Sequence, residues 1–267
     1  MRILSKIFGV RPQFPAFSEE MKSLDVKTIV IIITACIGII LTQYMGIRPG
    51  YRMAVYILDT MHLTALASAF KAWITSSDAA RIHHYFYWLC VVVAFYIALP
   101  MVTIKLVLRG RLVEYGLGFM GCIRHWRIYA VMMLVMIPVI ALASSTAAFQ
   151  RTYPFYHLAP GESLYPLFWI WESFYLLQFV GVEFFFRGFL VHGLKQRFGI
   201  YSVVIMVIPY CMIHFGKPMT EAFGAILAGL ILGCLSYWTR TIWMGVALHF
   251  SIALCMDVAA LWRTGRF

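Results

Sequence analysis

The chain has 267 residues, 62% of them hydrophobic and 12% charged, against roughly 45–50% apolar and about 25% charged in a soluble domain. There is too little polar side chain to cover a water-facing surface, so a soluble globular protein is excluded and lipid becomes the solvent. The net charge of +11 lies mainly between apolar runs, where Lys and Arg anchor to headgroups. No basic stripe with interleaved aromatics points to nucleic acid.

Residues 1–27 carry Arg2, Lys6, Arg11, Lys22 and Lys27 and read as a basic leader. Thr28–Gly46 holds no Asp, Glu, Lys or Arg and is expected as a first span, retained rather than cleaved because no small-residue cleavage site follows an early apolar core. Tyr51–Ile74 is apolar but contains Arg52, Asp59, His62 and Lys71, which fits either an imperfect span or an interfacial helix. His84–Ile104 is a clean span, followed by a connector with Arg109, Arg111, Arg124 and Arg127. Ile128–Gln150 is the next uncharged span, and a loop with Pro154, Pro160 and Gly161 marks the main boundary of the chain.

Beyond that boundary the character changes. Pro166–Phe198 reads as one long helix containing Glu172, Glu183, Arg187 and His192. Tyr201–Phe215 ends on His214, and Gly216-Lys217-Pro218 makes a turn. Ala222–Trp238 is uncharged and carries Gly229-x-x-x-Gly233, a spacing that permits close helix contact. After a turn at Arg240, Ile242–Leu261 holds His249 and Asp257. Nothing alternates as a barrel strand would. The expected fold is therefore an all-α, polytopic membrane bundle of seven or eight transmembrane helices. Its parts are a leader (1–27), N-terminal membrane helices (28–150) and a four-helix core (160–262).

The six cysteines are scattered and form no Cys-x-x-Cys pair, so neither a zinc ribbon nor a disulfide framework is indicated; they read as small buried hydrophobes. His83, His84, His125 and His157 stand at span edges and read as interfacial. His192, near Lys195 and Arg197, reads as snorkelling. Trp126, Trp169, Trp171, Trp238 and Trp243 suit aromatic belts, and Phe184-Phe185-Phe186 suits lipid or helix contact.

An ionisable group inside a span costs at least a few kcal/mol and so requires a partner or a function. The first three clear spans have none in their interiors, whereas the last four hold seven. Glu183 and Arg187 are one turn apart on one face and can pair, which by itself is satisfied by helix packing. If the helices fold as antiparallel neighbours, Glu183 and His214 lie roughly 25 and 21 Å from their shared turn. His249 and Asp257 lie roughly 14 and 25 Å from the Arg240 turn on the same side. Two carboxylates and two imidazoles can then converge within the bilayer. Such a group can activate water and stabilise an oxyanion, bind zinc from separate helices, or relay protons in a transporter. No compact His-Glu-x-x-His motif is present, no Gly-x-Ser-x-Gly frames a nucleophile, and Ser202, Ser236 and Ser251 suit helix packing.

These residues resemble the CAAX prenyl endopeptidase and bacteriocin-processing family (CPBP, or Abi). Its pattern is Glu-Glu-x-x-x-Arg, then Phe-x-x-x-His, then His-x-x-x-Asn on successive membrane helices. The chain offers Val182-Glu183-Phe184-Phe185-Phe186-Arg187, then Tyr210-Cys211-Met212-Ile213-His214, then His249-Phe250-Ser251-Ile252-Ala253. Glu114-Tyr115-Gly116-Leu117 is a further echo. The resemblance covers about residues 166–262. It implies an intramembrane endopeptidase that acts without a metal or other cofactor on a membrane-associated peptide or protein. It further implies the cell membrane as location, the lipid bilayer as surroundings and no nucleic-acid partner.

Glu183, Arg187, His214 and His249 are the catalytic candidates by this resemblance, with Tyr210, Asp257 and Glu221 accessory. Three departures stand out: Val182 replaces the first Glu, Tyr210 replaces Phe, and Ala253 replaces Asn. The water-activating role then falls to Glu183, or to Glu221 or Asp257, or is lost. A non-catalytic scaffold or immunity-type protein of the same fold, and a proton-coupled transporter, are the alternative readings.

Overall fold

The computed structural model describes residues 24–47, 50–76, 80–157 and 163–266; most of the basic leader and the Pro160-Gly161 part of the boundary loop lie outside them. These residues are helical with connecting turns. Among the described residues, six helices are long and apolar enough to cross a membrane. The first, α1 (Val26–Gly46), is capped by Asp25, whose carboxylate accepts from the Lys27 N–H at 3.0 Å and from Thr28 Oγ1 at 2.7 Å. An acid there satisfies otherwise orphaned helix-start donors.

The Tyr51–Ile74 stretch becomes two short helices, α2 (Tyr51–Thr60) and α3 (Thr64–Thr75), broken at His62, whose φ is 60°. At 10 and 12 residues they are roughly 15 and 18 Å long, too short for a hydrocarbon core of about 30 Å. This stretch is not a span.

Helix α4 (Ile82–Val107) is continuous, with two wide i→i+5 segments at Val93–Ala98 and Thr103–Val107 flanking Pro100. Such turns absorb the donor that proline lacks. Helix α5 (Trp126–Ala143) stops earlier than the expected Gln150. Ser144, Ser145 and Thr146 each return a hydroxyl to a carbonyl three residues back. Thr146 then caps a separate short helix, α6 (Ala147–Thr152). Hydroxyls competing for backbone acceptors end helices in this way.

Helix α7 (Leu167–Phe198) is the axis of the bundle. About 76% of its apolar window is buried, against 11–33% in the other five spanning helices. Its middle, Phe184–His192, is wound in wide i→i+5 turns, and all nine residues are buried. Phe184, Phe185 and Phe186 thus make helix contacts, packing with Ile31, Tyr96, Met206 and Val246 from the surrounding helices. Helix α8 (Tyr201–Met212) is shorter than a span and packs on α9 (Met219–Thr239). A Cβ on Gly229 would lie 3.1 Å from Tyr210 Cδ1, and one on Gly233 would lie 2.6 Å from Val203 Cγ1. The Gly-x-x-x-Gly spacing therefore serves a real helix contact. Arg240, in the left-handed region, turns the chain into α10 (Trp243–Arg263).

Two sequence readings need correction. None of the six cysteines is fully buried, and Cys36, Cys90 and Cys234 are exposed, because the outer faces of these helices meet lipid and a thiol is at home there. His192 is buried rather than snorkelling, with Nε2 3.1 Å from Ser236 Oγ, because this end of α7 packs along α9.

The connector between α4 and α5 docks under the middle of α7. Gly188 gives it room, since a Cβ there would lie 2.6 Å from the Tyr115 carbonyl oxygen. Gly188→Ala is expected to destabilise by about 1–3 kcal/mol, the usual cost of overpacking. Gly224→Ala, whose Cβ meets open space, should cost nothing. Thermal unfolding of both variants in detergent makes the comparison, and equal midpoints would mean that the Gly188 contact does not constrain the fold.

Candidate active site

Glu183 sits where α7 begins to widen and is 1% exposed. Its Oε1 lies 3.2 Å from Arg187 Nη1 and 3.0 Å from His249 Nδ1. The i,i+4 spacing supplies Arg187 from the same helix, and α10, packed antiparallel to α7, supplies His249. Arg187 is fully buried. None of its three guanidinium nitrogens makes a well-directed hydrogen bond among the described residues, so the contact with Glu183 is ionic proximity rather than a bidentate fork. The guanidinium lies over the Tyr210 ring, with Cζ 3.8 Å from the centroid.

His249 is partly open, with 19% of its side chain exposed, and rests against the Phe179 ring at 4.6 Å. One turn earlier on the same face is Gly245, where a Cβ would lie 2.8 Å from Glu183 Oε2. The missing side chain lets the carboxylate lie against α10. His214 follows the last turn of α8 and is buried. Its Nδ1 is 2.9 Å from the Tyr210 carbonyl, so Nδ1 carries the proton and Nε2 is left for other partners. Its ring meets that of Tyr210 edge-on at 4.9 Å. The five residues thus form one chain of contacts: His249, Glu183, Arg187, Tyr210, His214.

The connector sets the height of this group. The Gly116 carbonyl accepts the Ile242 N–H at 3.1 Å and the Leu117 carbonyl accepts Trp243 Nε1 at 3.3 Å, which caps the start of α10 seven residues before His249. Gly116 is left-handed, with φ 83°, and a Cβ would meet Ile242 at 2.9 Å. The Glu114-Tyr115-Gly116-Leu117 echo therefore has a structural basis.

Asp257 and Glu221 stand elsewhere. Asp257 is buried eight residues beyond His249, roughly 12 Å along α10. There it accepts the Phe155 N–H at 2.9 Å and faces Glu172 of α7. The level estimate failed because α7 overshoots the Arg240 turn: Lys195 Nζ already reaches the Tyr237 carbonyl, at 3.1 Å. Glu221 accepts from Lys217 Nζ at 2.6 Å and from the Tyr153 hydroxyl at 2.9 and 3.0 Å. Burial first, and then the Glu221 charge, push the Tyr153 phenol well above the usual tyrosine range, so it remains a donor. Both acids fasten the 153–157 strap to the bundle. Among the described residues, no three of His, Cys, Asp and Glu gather as a metal-binding group.

A cavity of roughly 450 Å³ lies beside that strap, lined by His84, Tyr85, Trp88, Phe155 and His157 together with Gly46 and Ile47. It is not at Glu183. A file of rings connects the two: Phe155 to Tyr175 at 5.1 Å, Tyr175 to Phe179 at 4.9 Å, and Phe179 to His249. Gly245 and the strap escaped sequence reading. A small residue one turn before His249 was a visible signal for the first, and nothing local marks the second.

Residues 164–255 match the family model described as type II CAAX prenyl endopeptidase Rce1-like. Over this segment, about a third of its length, the chain is similar to the type II CAAX prenyl endopeptidases. No curated protein and no solved structure matches it. With six membrane-competent helices among the described residues, the chain is a multi-pass membrane protein. The matched segment takes in Glu183, Arg187, Tyr210, His214 and His249 and stops short of Asp257. Within the matched segment, Val182 is 3% exposed in the main apolar cluster, and Ala253 packs among Trp171, Tyr175 and Phe179.

Two outcomes are expected from this geometry. Gly245→Ala should destabilise by about 1–3 kcal/mol through overpacking, and by less in a Glu183→Ala background. An equal loss in both backgrounds, read by thermal unfolding, would show that the carboxylate is not what the methyl meets. Asp257→Ala should speed amide exchange at Phe155 by roughly tenfold or more, since a bond to a charged acceptor contributes about 1.5–3 kcal/mol. Asp257→Asn, which keeps an acceptor, should change it far less. Unaltered exchange in Asp257→Ala would release the strap from this anchor.

Proposed function

We propose that the chain is a glutamate-type intramembrane endopeptidase that hydrolyses a peptide bond of a membrane-associated protein or peptide. The observation that carries this is a buried carboxylate, Glu183, held by Arg187 and by a partly open imidazole, His249. It lies within a segment that matches CAAX endopeptidases. Structural ion pairs also occur in membranes, but one that reaches an open histidine has a route to substrate.

Arg187 and His249 both converge on Glu183 Oε1, which leaves proton acceptance to Oε2. Glu183 takes a proton from water, and the water oxygen bonds to the scissile carbonyl carbon. Negative charge moves to the carbonyl oxygen. His214 presents Nε2, as a base when neutral and as a donor to the oxyanion once protonated. Collapse of the tetrahedral species breaks the C–N bond, and the transferred proton leaves on the amine. Val182 lies in an apolar cluster, so among the motif positions Glu183 is the acid at hand.

Glu183→Gln is expected to abolish cleavage of membrane peptides by the purified protein while leaving it folded, because an amide takes no proton from water. His214→Ala and His249→Ala should each lower kcat by ~10²–10³-fold, the usual loss for an acid–base or oxyanion group. Arg187→Ala should also lower yield and thermal stability, since it strands a buried charge at a cost of about 3–5 kcal/mol. Full activity in Glu183→Gln would refute the assignment. Activity lost to a chelator and restored by zinc would move the protein to metal-dependent chemistry.

A further inference from the structure

Tyr210 occupies the motif position where the family pattern has Phe, and it touches both halves of the site. Its ring is 2% exposed and has the Arg187 guanidinium over its face, with Cζ 3.8 Å from the centroid. Arg187 has five N–H donors to satisfy and is fully buried. Its nitrogens find no well-directed acceptor among the described residues. Apart from the single Glu183 oxygen at 3.2 Å, its positive charge meets Tyr210, whose electron-rich ring face it covers and whose hydroxyl lies nearby.

The ring itself has little freedom. Phe186 meets its edge at 5.3 Å and 70°. From the side of α9, a Cβ on Gly229 would lie 3.1 Å from Tyr210 Cδ1. Helix packing thus sets the ring, and the ring sets the guanidinium. The backbone of the same residue does a second task. The Tyr210 carbonyl belongs to the last turn of α8, where carbonyls lack helical donors, and it accepts from His214 Nδ1 at 2.9 Å. That bond fixes both the orientation and the tautomer of the imidazole.

We propose that Tyr210 is the positioning residue of this site, its ring seating Arg187 and its carbonyl orienting His214, so that one residue holds the Glu183–Arg187 pair and the second imidazole in register. Only the activity part of this inference rests on the protease reading. The seat itself is a statement about packing and charge.

A double-mutant cycle on thermal stability tests the seat without any substrate. Tyr210→Met should lower the unfolding midpoint clearly when Arg187 is present and little in an Arg187→Met background. Tyr210→Phe, which keeps the ring face, should match wild type. Equal losses in both backgrounds, or a Tyr210→Phe variant as unstable as Tyr210→Met, would overturn the seat. If Tyr210→Met does not fold, Gly229→Ala displaces the ring instead and should show the same dependence on Arg187. ¹⁵N-histidine NMR tests the carbonyl: neutral His214 should carry its proton on Nδ1, and an Nε2–H tautomer would overturn that half.

In a peptide-cleavage assay, Tyr210→Met should lower kcat by about 10²-fold with KM little changed, the scale of a displaced catalytic group. Tyr210→Phe should restore it. A rise in KM alone, with kcat unchanged, would overturn the positioning role. Should the wild-type protein cleave nothing, the protease reading fails while the stability cycle still decides the seat.

Discussion

Withdrawing Glu183 and Arg187 from water carries a penalty of several kcal/mol per ion, and in a bundle dissolved in lipid no solvent is at hand to offset it. The pair can stay charged only if neighbouring elements come close enough to share its field. Gly245 brings α10 onto the carboxylate, Tyr210 brings α8 under the guanidinium, and Gly229 lets α9 press on Tyr210. The wide turns of Phe184–His192 and the glycine at 188 admit the connector beneath. Small residues therefore cluster around one charged contact, and the most buried helix is the one that carries it.

The molecule has two polar levels rather than one. Around Glu183 the groups are of both signs and reach an open histidine. Around Glu172, Asp257 and Glu221 the acids gather beside Lys217, and Asp257 and Glu221 bond to a loop, through the Phe155 amide and the Tyr153 hydroxyl. The first arrangement suits chemistry and the second suits fastening. The strap also walls the aromatic cavity, and a file of rings in stacked, edge-on and tilted contact runs from it to His249.

The departures from the family pattern have local accounts. Val182 and Ala253 fill apolar surroundings, one in the main core and the other against the α7 aromatics. A carboxylate or an amide at either position would need partners that these clusters do not supply. Tyr210 keeps the ring that Arg187 rests on.

Lipid as solvent, helices as the only elements, and most of their boundaries follow from the sequence, because hydropathy and charge are local quantities. The Glu183–Arg187 contact was legible for the same reason, since an i,i+4 pair shares a face in any helix. The meeting of Glu183 with His249 was legible only in outline, as a shared depth. Tertiary structure decided the rest. It broke Tyr51–Ile74 at His62, ended α5 at Ala143, buried His192 and turned the cysteines outward. It also parted Asp257 and Glu221 from Glu183. Depth along a helix can be counted from sequence, but the level from which to count depends on how far each helix overshoots its neighbours. Packing against other helices sets that overshoot, and no residue records it locally.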